Sequence, residues 1–183
     1  MKASLATIAL SILFCFFFSI SAFAQDTSLR AQGSCGPADV RFDAHTSSPG
    51  QPASLEPGKA LVYVSEVFKK APGDITNPTI RIGMDGSWMG ATRSNSYIAF
   101  EVDPGEHHLC TNWQSHLKRF SRETAFARLT AEAGKTYYFR ARINYESAGG
   151  QVSAMSLDLE PIDPDEGQYL VASNPASTSH PQK

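Results

Sequence analysis

The chain lacks a charge surplus: 16 Lys and Arg stand against 18 Asp and Glu over 183 residues, a formal net charge of −2. That balance gives no electrostatic argument for nucleic acid or for an anionic membrane surface. Cysteine is scarce, with three residues. Catalytic signatures are missing too. There is no G-x-S-x-G elbow for a hydrolase serine and no H-E-x-x-H for a zinc enzyme. Gly134-Lys135-Thr136 resembles the end of a phosphate-binding loop, but the Gly that motif needs five residues earlier is Leu129. Repeats of fixed period are absent, which argues against propellers and solenoids. After the first 24 residues no apolar run approaches the ~20 residues of a membrane-spanning helix.

What is present starts at the N-terminus. Lys2 precedes an apolar run from Leu5 to Ala22, and Ala22-Phe23-Ala24 places small residues before Gln25. This layout predicts a signal peptide over 1–24 with an A-x-A cleavage site, and an exported chain in the periplasm or outside the cell. Cleavage, favoured over retention as an anchor by the polar Gln25-Asp26-Thr27-Ser28, removes Lys2 and moves the formal charge from −2 to −3. Cys15 lies inside the signal behind the bulky Phe14, which argues against a lipid anchor there. The remaining pair, Cys35 and Cys110, then reads as a disulfide in an oxidising compartment.

Beyond the signal, 25–58 reads as an N-terminal extension and linker. Val40 and Phe42 alternate there like an edge strand, and a Ser/Pro/Gly-rich loop follows. From 59 to 172 the dominant period is two. Leu61-Val62-Tyr63-Val64, Ile80/Ile82, Ile98/Phe100/Val102 and Phe139/Ala141/Ile143 mark strands, and Arg122–Ala131 is taken as another. Asp85-Gly86 and Asp103-Pro104-Gly105 supply turn chemistry. Asp163-Pro164 opens one short C-terminal helix. Seven to eight strands with little helix predict an all-β, antiparallel sandwich of immunoglobulin or prealbumin type. The Ser/Thr/Pro/His stretch 173–183 is expected to be disordered.

Three groups of residues could carry chemistry. Glu106, His107, His108, Cys110 and His116 crowd eleven positions. Zinc takes such ligands, but on a strand His107 and His108 face opposite ways. Arg128, Arg140 and Arg142, joined by Lys118, Arg119, Arg122 and Tyr138, could gather on one sheet face for an anionic envelope polymer. The plainer reading is an exposed polar face. Trp88 and Tyr97 could extend that platform, whereas Trp113, on a strand face with Leu109, reads as core. No cofactor is implied.

Several segments occur in a telling order: Lys59-Ala60-Leu61-Val62-Tyr63-Val64, Ile82-Gly83-Met84-Asp85-Gly86-Ser87-Trp88-Met89-Gly90, Ser96-Tyr97, Val102-Asp103-Pro104-Gly105-Glu106-His107 and Ala131-Glu132-Ala133-Gly134-Lys135-Thr136-Tyr137-Tyr138-Phe139. Together, over about Lys59 to Pro161, they resemble the bacterial secreted family catalogued as domain of unknown function 2846. The resemblance implies an envelope-located β-sandwich with no assigned reaction and no established catalytic residues. Many relatives look like lipoproteins, and this chain departs from them in lacking a usable lipobox. The expected function is therefore a secreted or periplasmic binding or envelope-structural module, not an enzyme, with a cell-envelope component or another envelope protein as its partner. The alternative is a secreted metal-dependent or other hydrolase using the His107, His108 and His116 region.

Overall fold

A computed structural model describes residues 35–47, 54–69, 77–148 and 151–183. The expected signal peptide, the polar lead-in to residue 34 and the Gly149-Gly150 turn lie outside the described residues. Ten strands are described: β1 (Phe42–Thr46), β2 (Ala60–Phe68), β3 (Thr79–Met84), β4 (Ser87–Arg93), β5 (Tyr97–Val102), β6 (Gly105–Trp113), β7 (Thr124–Ala131), β8 (Thr136–Ala148), β9 (Gln151–Pro161) and β10 (Ser177–Pro181). A one-turn helix α1 (Lys118–Ser121) precedes β7, and α2 (Pro164–Ser173) follows β9. The short α1 was not foreseen. The C-terminal helix was, including its cap: the Asp163 side chain accepts a hydrogen bond from the Asp165 amide, with Pro164 in the first turn.

Two four-stranded sheets form the sandwich, a front sheet ordered β5-β2-β8-β9 and a back sheet ordered β4-β3-β6-β7. Their inner faces carry the alternating apolar residues. Val62, Val64, Phe139 and Ile143 meet Ile80, Ile82, Leu109 and Trp113 in one buried cluster. The Asp85-Gly86 turn joins β3 to β4 with φ of 51° and 82°, the left-handed pair that a two-residue hairpin requires. Pairing is antiparallel throughout the two sheets except between β2 and β8, which run parallel. β2 explains why it can take that place. It is buried on both faces, with Val62 and Val64 in the sandwich and Leu61 and Tyr63 in a second cluster with Val171 of α2. Its near-continuous apolar run suits such a central strand.

The boundaries at 58 and 172 need correction. Residues 173–183 are not a disordered tail. Ser177–Pro181 pairs residue for residue with Phe42–Thr46 in a third, two-stranded sheet. The stretch offers little to bury, so hydrophobic pattern could not find it. Hydrogen bonds order it instead. The Ser179 hydroxyl accepts from the Ala91 amide at 2.9 Å, and the Ser177 hydroxyl donates to the Ala91 carbonyl at 2.9 Å. The edge strand in the N-terminal extension is real but begins at Phe42. Phe42 and Ala44 pack on Ala91 with Val40 and Trp88 alongside. Extension and tail together thus complete the domain by closing over β4.

Candidate functional site

The outer face of the back sheet has two halves. Over one half, residues 35–44 cross as a strap. Cys35, buried at its start, is disulfide-bonded to Cys110 on β6, with Cα atoms 5.6 Å apart. Next to it Arg81 of β3 is 8 % exposed. Its Nη1 donates to the Val40 carbonyl at 2.5 Å, and Nε donates to Asn112 Oδ1 at 3.1 Å. The guanidinium lies 4.4 Å from the centre of the Trp88 ring, a cation–π contact. Asn112 passes the network on, donating to the carbonyls of Ser121 and Glu123. Among the described residues no carboxylate pairs with Arg81. Burial, reinforced by the like charge of Arg41, lowers its pKa to about 10, so it stays charged at neutral pH. Trp88 is not an open binding aromatic: it is half-buried, and its indole N–H donates to the Pro37 carbonyl at 2.8 Å.

The other proposed platform residues divide among separate places. Tyr97 is buried, 5.8 Å from Tyr63 between ring centres. Tyr138 stacks on Tyr63 at 5.3 Å. All three belong to the cluster on the outer face of the front sheet, which includes Val171 of α2. Gly167 makes the approach of α2 possible, since a Cβ there would collide with the Tyr138 ring. Arg140 forms ion pairs with Glu160 and Glu166, and Arg142 reaches Glu160 at 3.6 Å. The Arg140 hydrogen bond holds the Glu160 carboxyl below the usual range. Arg128 sits on β7 of the opposite sheet. The six residues therefore do not make one surface. The arginines separate because β8 joins the front sheet beside β2 while β7 ends the back sheet, a strand order that alternation alone does not encode.

The histidines separate too. His107 is fixed at both ring nitrogens, Nδ1 to Asp85 Oδ2 at 2.7 Å and Nε2 to the Asp103 carbonyl at 2.8 Å. The Asp85 bond raises the His107 pKa against a smaller opposing effect of burial. Burial pushes the Asp85 carboxyl up, and the His107 bond with the His108 amide more than reverses it, leaving it below its ordinary value. This pair anchors the β3–β4 turn to β6. His116 is exposed, with Nε2 3.5 Å from Arg41 Nη2. Among the described residues, no group of three or more His, Cys, Asp or Glu is placed to hold a metal ion.

Among the described residues, nothing covers the second half of the back sheet's outer face. Here His108 of β6 lies opposite Arg128 of β7, and Cys110 lies opposite Phe126. Phe126 is 50 % exposed. His108, Leu109, Phe126, Ala127 and Arg128 line an open cleft of about 400 Å³. Arg128 has no hydrogen bond or ion pair among the described residues. A free guanidinium, an imidazole and an exposed ring side by side suit contact with an anionic or aromatic group. They supply no nucleophile held by a base. Sequence reasoning named His108 and Arg128 separately and missed Phe126, although parity along β7 already set Phe126 with Arg128 and against the buried Leu129.

A family model for proteins of unknown function, DUF2846, matches residues 56–153. The chain belongs to that family. The match begins just before β2 and ends within β9, so the DUF2846 region holds most of both sheets, including the bare face of β6 and β7. The strap, the disulfide residue Cys35 and the β1–β10 sheet lie outside it. No curated protein and no solved structure matches the chain.

One interior residue went unnoticed in the sequence. Glu66 shares its parity on β2 with Val62 and Val64, which points it into the sandwich, where it is fully buried. Neither carboxyl oxygen has a hydrogen bond of normal geometry. Burial raises its pKa to about 8, and the nearby Thr92 hydroxyl and the Ser94 and Asn95 amides offset only part of that. Glu66 is thus protonated in the folded protein at neutral pH.

Proposed function

We propose that this DUF2846 protein is an exported module of the cell envelope that acts by contact rather than by catalysis, through the outer face of β6 and β7. The observation that carries this reading is the half of the back sheet that no described residue covers, with Phe126 exposed, Arg128 without a hydrogen bond or ion pair among the described residues, and His108 alongside. Elsewhere the candidate residues are engaged in the fold: Trp88 against the strap, His107 in the turn, Tyr97 and Tyr138 in the front-sheet cluster, Arg140 with its glutamates. The signal-like first 24 residues and the Cys35–Cys110 disulfide support an oxidising, extracytoplasmic home.

The test is site-specific photo-crosslinking in the producing cell. A probe at position 126 should capture a defined partner, and the same probe at Asp43 on β1 should not. Equal capture from both positions, or none from 126, removes the reading. Metal analysis addresses the enzymatic alternative. Stoichiometric zinc that is lost on His108→Ala would replace the contact module with a metal site.

A further inference from the structure

One residue of β6 is held in a way that fixes its proton count. His107, whose side chain is 13 % exposed, meets Asp85 Oδ2 through Nδ1 at 2.7 Å and the Asp103 carbonyl through Nε2 at 2.8 Å. The Asp85 carboxyl is held below its ordinary range, so it is ionised at neutral pH. A carboxylate and a main-chain carbonyl can only accept hydrogen bonds. Both ring nitrogens must therefore donate, and the ring that donates twice is the imidazolium cation. A neutral ring has one N–H. It would set a nitrogen lone pair against one of the two oxygens, so loss of the proton breaks one of the two contacts.

The ring sits where three segments meet. Asp85 opens the β3–β4 turn and Asp103 opens the β5–β6 turn. The Asp103 carboxylate pairs in its turn with Lys59, just before β2, at 2.7 Å. Asp85 also reaches the contact face. The last ladder pair of β3 with β6 joins Met84 to Leu109. Beyond it, Asp85 takes up the main chain of His108 twice. The Asp85 amide donates to the His108 carbonyl at 3.0 Å, and Asp85 Oδ1 accepts from the His108 amide at 2.8 Å. His108 lines the cleft beside Phe126 and Arg128. On its β3 side His108 is thus held by Asp85, and the second carboxylate oxygen of Asp85 is held by His107. The charged groups that act on the ring, Asp85 and Asp103, both favour the cation. β7 sets the apolar Leu129 opposite it, and the neighbouring Glu106 and His108 project from the other face of the strand.

We propose that His107 is a proton-operated clasp on the contact face: as imidazolium it fixes Asp85, and through Asp85 it fixes the His108 end of the cleft. This rests on the contact reading above for its purpose and adds a regulation to it. The clasp is closed while the proton is on. The Asp85 bond raises the His107 pKa above its ordinary value. The clasp's contribution is therefore complete below the ordinary histidine range and is lost as pH rises through the raised folded value.

Nitrogen-15 NMR of the purified, histidine-labelled protein tests it, with hydrogen exchange at the His108 amide as the second readout. His107→Gln identifies the His107 signals by their loss. At neutral pH both ring nitrogens of His107 should carry hydrogen, and the ring should titrate above free histidine. Protection of the His108 amide, corrected for the intrinsic pH dependence of exchange, should fall roughly tenfold across that titration, the loss of one charge-assisted hydrogen bond. Asp85→Asn reverses the proton state. Asn tolerates the left-handed φ of 51° at this position, and its Oδ1 can still accept from the His108 amide. Its side-chain amide then donates toward Nδ1, so His107 should become neutral with hydrogen on Nε2 alone and titrate below free histidine. Far-UV circular dichroism checks that each variant folds. A neutral ring in the wild type at neutral pH, a titration at or below that of free histidine, or His108 protection that ignores the titration would each overturn the proposal. The contact reading fails separately, because neither readout needs a partner. A probe at position 126 that captures nothing defeats the contact reading and leaves the clasp standing, whereas a neutral His107 leaves capture untouched.

Discussion

Arg81 and Arg128 project from the same outer face of the back sheet, two strands apart, into opposite surroundings. Arg81 is enclosed by the strap, bonded to Asn112 and Val40 and stacked on Trp88. Arg128 faces an open cleft beside Phe126 with no partner among the described residues. The enclosed arginine holds the architecture together, since a buried donor set with its acceptors is costly to break. The open arginine contributes little to stability and is available for contact. Glu66 extends the contrast into the interior, as a titratable group enclosed without a charged partner.

If enclosure is what separates these groups, their variants should separate in the same way. The largest effect is expected at Glu66. An acid whose folded pKa is raised binds its proton in the folded state while the unfolded chain has already lost it. Its contribution to stability is therefore intact below the ordinary carboxylate range and is lost progressively as pH rises to about 8. The slope is about 1.4 kcal/mol per pH unit and the total on the order of 5 kcal/mol. Urea titrations from pH 4 to 9 should show this slope in the wild type and not in Glu66→Gln. Identical slopes would mean that Glu66 is not enclosed as described.

Next come the strap residues. Replacing Cys35 and Cys110 by Ser opens a link across a sequence separation of 75 and should cost about 2–4 kcal/mol. Arg81→Met leaves the Val40 carbonyl and the Asn112 side chain without their donor and should cost about 2–3 kcal/mol. Both costs would be read by chemical denaturation. The smallest effect belongs to the bare half. Arg128→Gln should stay within about 0.5 kcal/mol of wild type. An Arg128→Gln loss as large as that of Arg81→Met would erase the distinction between the halves.

Much of this arrangement was legible in the sequence because strands repeat every two residues. The sandwich, the Asp85-Gly86 hairpin, the Asp163-capped helix and the buried Trp113 all follow from parity and turn chemistry. What escaped was order that does not depend on hydrophobicity. Ser177–Pro181 is held by main-chain pairing and two hydroxyls, which leave no mark in an apolar pattern. The parting of Arg128 from Arg140 and Arg142 depends on which strands become neighbours, and alternation is silent on that. Glu66 and Phe126 were legible by parity and were missed because each breaks the rule of polar outside and apolar inside. Such exceptions are where a fold departs from stability alone.

Among the described residues β7 is hydrogen-bonded on one side only, beside a face that none of them covers. Amide hydrogen exchange along β4 and β7, measured in dilute protein, tests that most directly. The outward-facing amides of β7 should exchange well ahead of the Ala91 amide of β4, which Ser179 protects. Protection of β7 equal to that of β4 in dilute solution would contradict it.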